Sequence, residues 1–217
     1  MTNLVLAALF LPLSHFLIAS TPLRATLVAR VGERLYSGSY SVLTLAVFGW
    51  LVVAYRGAPA LPLWAAPKWI NVALSPVILA ACVLVVAGLT TPNPVIVGFE
   101  SLFAKPQIVR GVLRVTRNPF FWGASLFSVG HAIILGDVAG ILAFGSVAFL
   151  GLAGAPILDA KKAGKHGKAW NSFAALTSSI PFLAIMQGRQ RLVLREIGLW
   201  RIALGAGLFL AALLFHL

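Results

Sequence analysis

Long apolar runs, separated by short basic or proline-rich stretches, recur along the whole 217-residue chain. In a bilayer no water satisfies backbone N–H and C=O groups, so such runs can only become helices or a closed barrel. Six of them suit helices of roughly 20 residues: Asn3–Ser20, Tyr40–Tyr55, Trp69–Leu89, Pro119–Leu135, Val138–Ile157 and Gly198–His216. They lack the alternation of barrel strands. The expected fold is an all-α integral membrane bundle of about six transmembrane helices, forming a single domain over residues 1–217. A net charge of +12 would suggest nucleic acid in a soluble protein. With 60% apolar and 10% charged residues, the basic groups are expected to face lipid headgroups and no nucleic acid.

Their distribution sets an expected orientation. Arg24, Arg30 and Arg34 lie in the first loop, and Lys105, Arg110, Arg114 and Arg117 in the third. Lys161, Lys162, Lys165, Lys168, Arg189, Arg191 and Arg195 lie in the fifth. The second loop has only Arg56 and Lys68, and the fourth has none. The positive-inside rule makes the odd loops cytosolic and puts both termini on the periplasmic side. The first apolar run lacks a positive n-region and a clear cleavage site, so it is expected to be a retained helix. Trp64 and Trp69 fit an outer aromatic belt.

Pro12 interrupts the first helix and frees the Ala8 carbonyl. Ala8, Leu11, His15 and Ala19 share one face of it. Cys82, the single cysteine, is expected to be a packing residue. Glu100, one of five acids, is expected to be solvated or loosely paired. In the fourth helix Phe120, Ala124, Phe127, Ser128 and His131 share a face, and Asp137 is expected to cap the fifth helix. The long fifth loop is read as an interfacial helix over KKAGKHGKAWNSF. A re-entrant or interfacial helix follows, starting near Ser178–Ser179 and ending at Gly188.

Chemistry concentrates on two histidines. His166 and His216 are expected to be solvated or interfacial, whereas His15 and His131 fall inside spanning helices. An ionisable group there marks a functional site by default. Neutral imidazole either hydrogen-bonds between helices or ligates a metal; two such groups suit a haem iron. With helix one descending and helix four rising, their depths differ by roughly 10 Å, which asks for a tilted porphyrin. No phosphate loop, zinc motif or Ser-His-Asp set is present.

The stretches SHFLIASTPLR, ERLYSGSYS, RVTRNPFFWGASLFSVGH, DAKKAGKHGKAW and LTSSIPFLAIMQGR resemble the NnrU family of bacterial membrane proteins, over nearly the whole chain. That family is related to the haem b enzyme 15-cis-ζ-carotene isomerase. The resemblance implies haem b with axial ligands His15 and His131, in the bacterial inner membrane, and an association with denitrification. Arg114, Arg117, Asn118 and Ser128 would line a rim or pocket, near propionates. The implied ligand is a nitrogen oxide in a redox or sensing role, or an apolar polyene in an isomerase. Asn118 stands where the family carries histidine in Arg-His-Pro. Ser128 stands where the isomerase branch carries cysteine, and a hydroxyl ligates iron more weakly than a thiolate. Two further expectations are an isoprenylcysteine-type membrane methyltransferase and a haemless structural or assembly factor.

Overall fold

The structure, a computed structural model, describes residues 1–105 and 107–214, without the side chains of Ala19 and Ser20. The expectations for Ala19 and for His216 therefore lie outside the described residues. Helices occur in the order α1 (Thr2–Ser20), α2 (Pro22–Val31), α3 (Glu33–Arg56), α4 (Lys68–Thr90), a 3₁₀ turn (Glu100–Ala104), α5 (Val112–Val115), α6 (Pro119–Leu135), α7 (Val138–Leu176), α8 (Leu183–Met186), α9 (Leu194–Ile197) and α10 (Leu199–Leu214). Among the described residues there is one isolated bridge, Pro62 with Asp137, and no strand. Among the described residues three helices, α3, α4 and α7, are long and apolar enough to cross a membrane. The count is four if α1 and α2, bent by 72° across the break between Ile18 and Pro22, form one broken span; α6 and α10 are shorter apolar helices.

Three segments differ from their sequence reading. The first loop is largely helical: Thr21 Oγ1 accepts from Leu23 N, Pro22 occupies the first turn, and Gly32 ends α2 at φ 82°. Proline at the start and glycine after the end are ordinary helix punctuation. The basic content hid that signal. The fifth spanning segment does not end at Ile157. Helix α7 continues through Pro156 and the Ala- and Lys-rich stretch, and breaks only at Gly167, where φ is 47°. The expected interfacial helix is thus its continuation. In the third segment, the expected start at Ser178–Ser179 is replaced by a turn. Phe182 takes a left-handed φ of 64°, and helix begins only at Leu183.

The chain divides into two compact units. The first comprises Met1–Asn71 and Ser128–Leu150. Its core joins Leu4, Ala7 and Leu11 of α1, Leu51 and Ala54 of α3, and Ala143 of α7. Trp50 Nε1 donates to Asn3 Oδ1 at 2.9 Å, tying α3 to α1. The loop after α3 docks on the α6–α7 turn: Leu63 N and Trp64 N donate to the Gly136 carbonyl, and Val138 N to Leu61 O. Gly136 has φ 62°, and a Cβ there would overlap the Trp64 carbonyl, so the turn requires glycine. Asp137 caps α7 as expected, its Oδ1 accepting from Gly140 N. Trp64 Nε1 also donates to Ile133 O.

The second unit comprises Val72–Phe127 and Gly151–Leu217. Here α4 and the first half of α6 approach closely through Gly88 and Gly123. Small residues at such contacts let backbones meet. Cys82 is buried within α4, as expected of a packing residue. Val95, Trp170 and Phe173 form a further core cluster.

Candidate functional site

In the first unit, Pro12 leaves α1 locally short of a backbone bond, and the side chains of the next turn fold back on the helix. Ser14 Oγ and His15 Nδ1 both bond the Leu11 carbonyl, at 2.9 Å each. A carbonyl only accepts, so Nδ1 carries the proton and Nε2 keeps its lone pair. A backbone carbonyl commonly holds a metal-ligating imidazole in that tautomer. The His15 ring meets Tyr40 of α3 edge-on, with centroids 5.6 Å apart. Tyr40 stacks on Tyr36 at 5.9 Å, and Arg24 lies 5.3 Å over the Tyr36 ring. His131 of α6 is 8% exposed and stacks on Phe144 of α7, 5.1 Å away.

Both histidines therefore belong to the same unit and carry donor chemistry that suits iron. Each ring rests against its own aromatic partner. A 410 Å³ apolar cavity in this unit, between Ala8, Pro12 and Phe16 of α1 and Leu142, Ser146 and Phe149 of α7, is lined by neither. Among the described residues no group of three or more His, Cys, Asp or Glu could hold a metal.

The second unit holds a polar knot that the sequence reading passed over. The turn before α6 points its groups inward. Arg117 Nε and Nη2 donate to Asp159 Oδ2 at 2.8 and 2.6 Å, and the guanidinium lies 5.3 Å from the Trp170 ring. Asn118 Nδ2 donates to Asp159 Oδ1 and to Ser179 Oγ, both at 3.1 Å. Thr116, fully buried, donates to Ser179 O and accepts from Asn118 N. Arg117 N donates to Ser178 O, and Phe182 N to Val115 O. Asn93 Nδ2 holds the Arg117 carbonyl. The LTSSIP segment is thus pinned to the RNP turn by backbone and side chain together. Asn93, Arg117 and Asn118 also reach one side of a 500 Å³ cavity whose other walls include Leu89, Phe120 and Leu158.

Arg114 is similarly committed. Its Nε and Nη2 pair with Glu196 at 2.7 and 3.0 Å, and Nη1 donates to Gln190 Oε1. The Arg114 bond and the Gly111 N–H hold Glu196 below the usual carboxylate range. The two arginines expected near propionates are therefore spent on acids of this chain. Ser128 lies one turn before His131 and is 2% exposed.

Two expectations are corrected. Glu100 is neither solvated nor loosely paired: Lys162, 5% exposed, donates to it at 2.9 Å, and Gly98 N donates to its other oxygen. His166 is not a solvated loop residue: its ring packs 4.9 Å from Phe103, and its buried Nε2 has no hydrogen-bond partner among the described residues. Burial works against ionised Glu100, but the Lys162 bond and the Gly98 and Glu100 N–H groups outweigh it and bring its pKa to about 2. A depressed carboxyl pKa stabilises the fold at pH values above the unfolded one, 4.5, and that gain is lost as pH falls through about 2. Glu100→Gln is expected to be less stable than wild type at neutral pH. The difference should shrink between pH 4.5 and 2 in unfolding measurements in detergent; a gap independent of pH would contradict the pairing.

All-helical among its described residues, with helices apolar and long enough for a bilayer, the chain has the makeup of a helical membrane protein. It belongs to the NnrU family, whose model, described as NnrU protein, matches residues 3–217. It is 36% identical over 81 residues to 15-cis-zeta-carotene isomerase, chloroplastic, of Arabidopsis thaliana, covering 37% of this chain and 22% of that one. It is 30% identical over 82 residues to the protein of the same name from Zea mays, covering 38% and 22%. No solved structure matches.

Proposed function

We propose that this chain is a multi-pass protein of the bacterial inner membrane, with both termini periplasmic, that binds haem b through His15 and His131 and serves a redox or nitric-oxide-sensing role linked to denitrification. The observation that carries this reading is the Nδ1–H bond from His15 to Leu11 O, which leaves Nε2 as the ligating nitrogen, in the same unit as buried His131. Bound haem would supply one-electron chemistry. The chain's own residues orient the ligands: the Leu11 carbonyl fixes one imidazole, and Phe144 covers a face of the other. Helices α6 and α10 complete six passes in this reading, and the basic segments from Arg24 to Arg34 and from Lys161 to Lys168 face the cytosol.

Detergent-purified protein is expected to show a Soret band that His15→Ala and His131→Ala each abolish. A wild type without the band, or a spectrum unchanged in both variants, overturns the reading.

A second reading, a haem-dependent isomerase of a ζ-carotene-like polyene, is favoured by the names of the two plant relatives. Ser128 in place of cysteine counts against a thiolate ligand in such an enzyme. Conversion of 15-cis-ζ-carotene by the reduced protein separates the two readings.

A further inference from the structure

We propose that the second unit holds a binding site for one anionic glycerophospholipid, with its phosphodiester at Lys105 and Arg110 and its acyl carbons in the apolar cavity alongside. The site stands independently of haem. It is a 420 Å³ cavity in the stretch that leads from the end of α4 to the approach of α5. Lys105 and Arg110 line it together with Thr91 and Gln107, while Leu102 and Ile108 supply apolar wall. Two cations brought to one cavity repel each other, and an anion shared by both relieves that repulsion. The Thr91 hydroxyl and the Gln107 amide add neutral donors for phosphate oxygens.

That anion does not come from the unit itself. Of the chain's five acidic residues, the unit contains Glu100, Asp159 and Glu196. Each is already ion-paired, with Lys162, Arg117 and Arg114 respectively. The charge of Arg110 reaches Glu196, but Arg114 bonds both oxygens of that carboxylate and Gly111 N bonds one of them as well. The side chains of Lys105 and Arg110 are exposed and make no hydrogen bond or ion pair among the described residues. The surroundings say which anion fits. A second cavity, of 500 Å³, shares Thr91 and Pro92 with the first and is walled by Ile96, Val97 and Phe99, all of them exposed. Exposed apolar side chains beside two cations are the makeup of a segment at a membrane interface. A free phosphate would occupy the basic cavity and leave the apolar one without a role; an anionic lipid uses both. General contact between basic residues and headgroups needs no cavity, which separates this site from Lys165 and Lys168, exposed on α7.

The test is native mass spectrometry of the full chain in neutral detergent, titrated with phosphatidylglycerol or with phosphatidylcholine of the same acyl chains. Wild type is expected to bind one phosphatidylglycerol in preference to phosphatidylcholine. A basic residue near an anionic lipid contributes about fivefold, so Lys105→Gln with Arg110→Gln is expected to bind phosphatidylglycerol about 25-fold more weakly. The charge-keeping pair Lys105→Arg with Arg110→Lys should bind as wild type does. So should Lys165→Gln with Lys168→Gln, which removes the same charge elsewhere in the unit. Inorganic phosphate at the lipid's concentration should displace nothing. Equal binding of the two lipids by wild type overturns the proposal, as does an equal loss in the Lys165 and Lys168 variant. Loss of binding in the charge-keeping variant, or displacement of the lipid by inorganic phosphate, overturns it too.

Discussion

Asp159→Asn is expected to destabilise the protein by about 3–5 kcal/mol, the usual cost of removing one partner of a buried ion pair. The pair is well shielded: the side chains of Arg117 and Asp159 are 15% and 12% exposed. One carboxylate oxygen takes both guanidinium bonds, and the other takes the Asn118 amide. With asparagine in place, the guanidinium keeps its charge but faces a neutral amide whose one oxygen must serve both Arg117 and Asn118; the long 3.4 Å bond to Thr177 O and the Trp170 ring remain. Asn118 would be left with an amide facing an amide. The loss should spread, because the same turn holds Ser178 and Ser179 through Arg117 N and Thr116 Oγ1. The measurement is equilibrium unfolding in mixed micelles. Replacing both partners, Arg117→Met with Asp159→Leu, should cost less than Asp159→Asn alone, since no buried charge is then left unpaired. A single variant within 1 kcal/mol of wild type would remove the knot from the list of structural anchors.

This knot also shows where sequence reasoning stops. Helix α6 was legible to the residue, because Pro119 can open a helix and Gly136 can end one, and both signals are local. Asp159 was not legible: its partner lies 42 positions away, and an acid beside two lysines reads as solvated surface. Asn118 was noted for the histidine it replaces, yet in the structure it joins α7 to the LTSSIP segment. Burial of Lys162 and of His166 Nε2 was hidden in the same way, since KKAGKHGKAW looks solvent-facing until α7 runs through it. His15 and His131 were visible because polarity inside an apolar run stands out without knowledge of the fold. Their partners, Tyr40 and Phe144, were not, since aromatic residues are ordinary in such helices.

The second large effect is expected at the crossing of α4 and α6. Alanine at Gly88 would put its Cβ 2.5 Å from Phe120 N and 2.8 Å from Phe120 Cα. Alanine at Gly123 would put one 2.7 Å from Val85 N and 2.8 Å from Ala81 O. In each case the nearest atoms are backbone, which cannot swing aside as a flexible side chain could. The helices must separate, and overpacking of this kind costs about 1–3 kcal/mol per site, occasionally more. Without a hydrophobic drive between helices in lipid, close packing is much of what holds them, so a wider spacing forfeits contacts along the whole crossing. The two substitutions press on the same pair of helices. Once one has moved them apart, the second meets less resistance. The double variant should therefore cost less than the two single costs added, with a coupling of about 0.5–3 kcal/mol, as expected for sites sharing one backbone shift. Gly145→Ala, where a Cβ meets nothing within 4 Å, serves as the control and should leave stability unchanged. Strict additivity, or single costs no larger than the control's, would mean that α4 and α6 do not meet through these glycines.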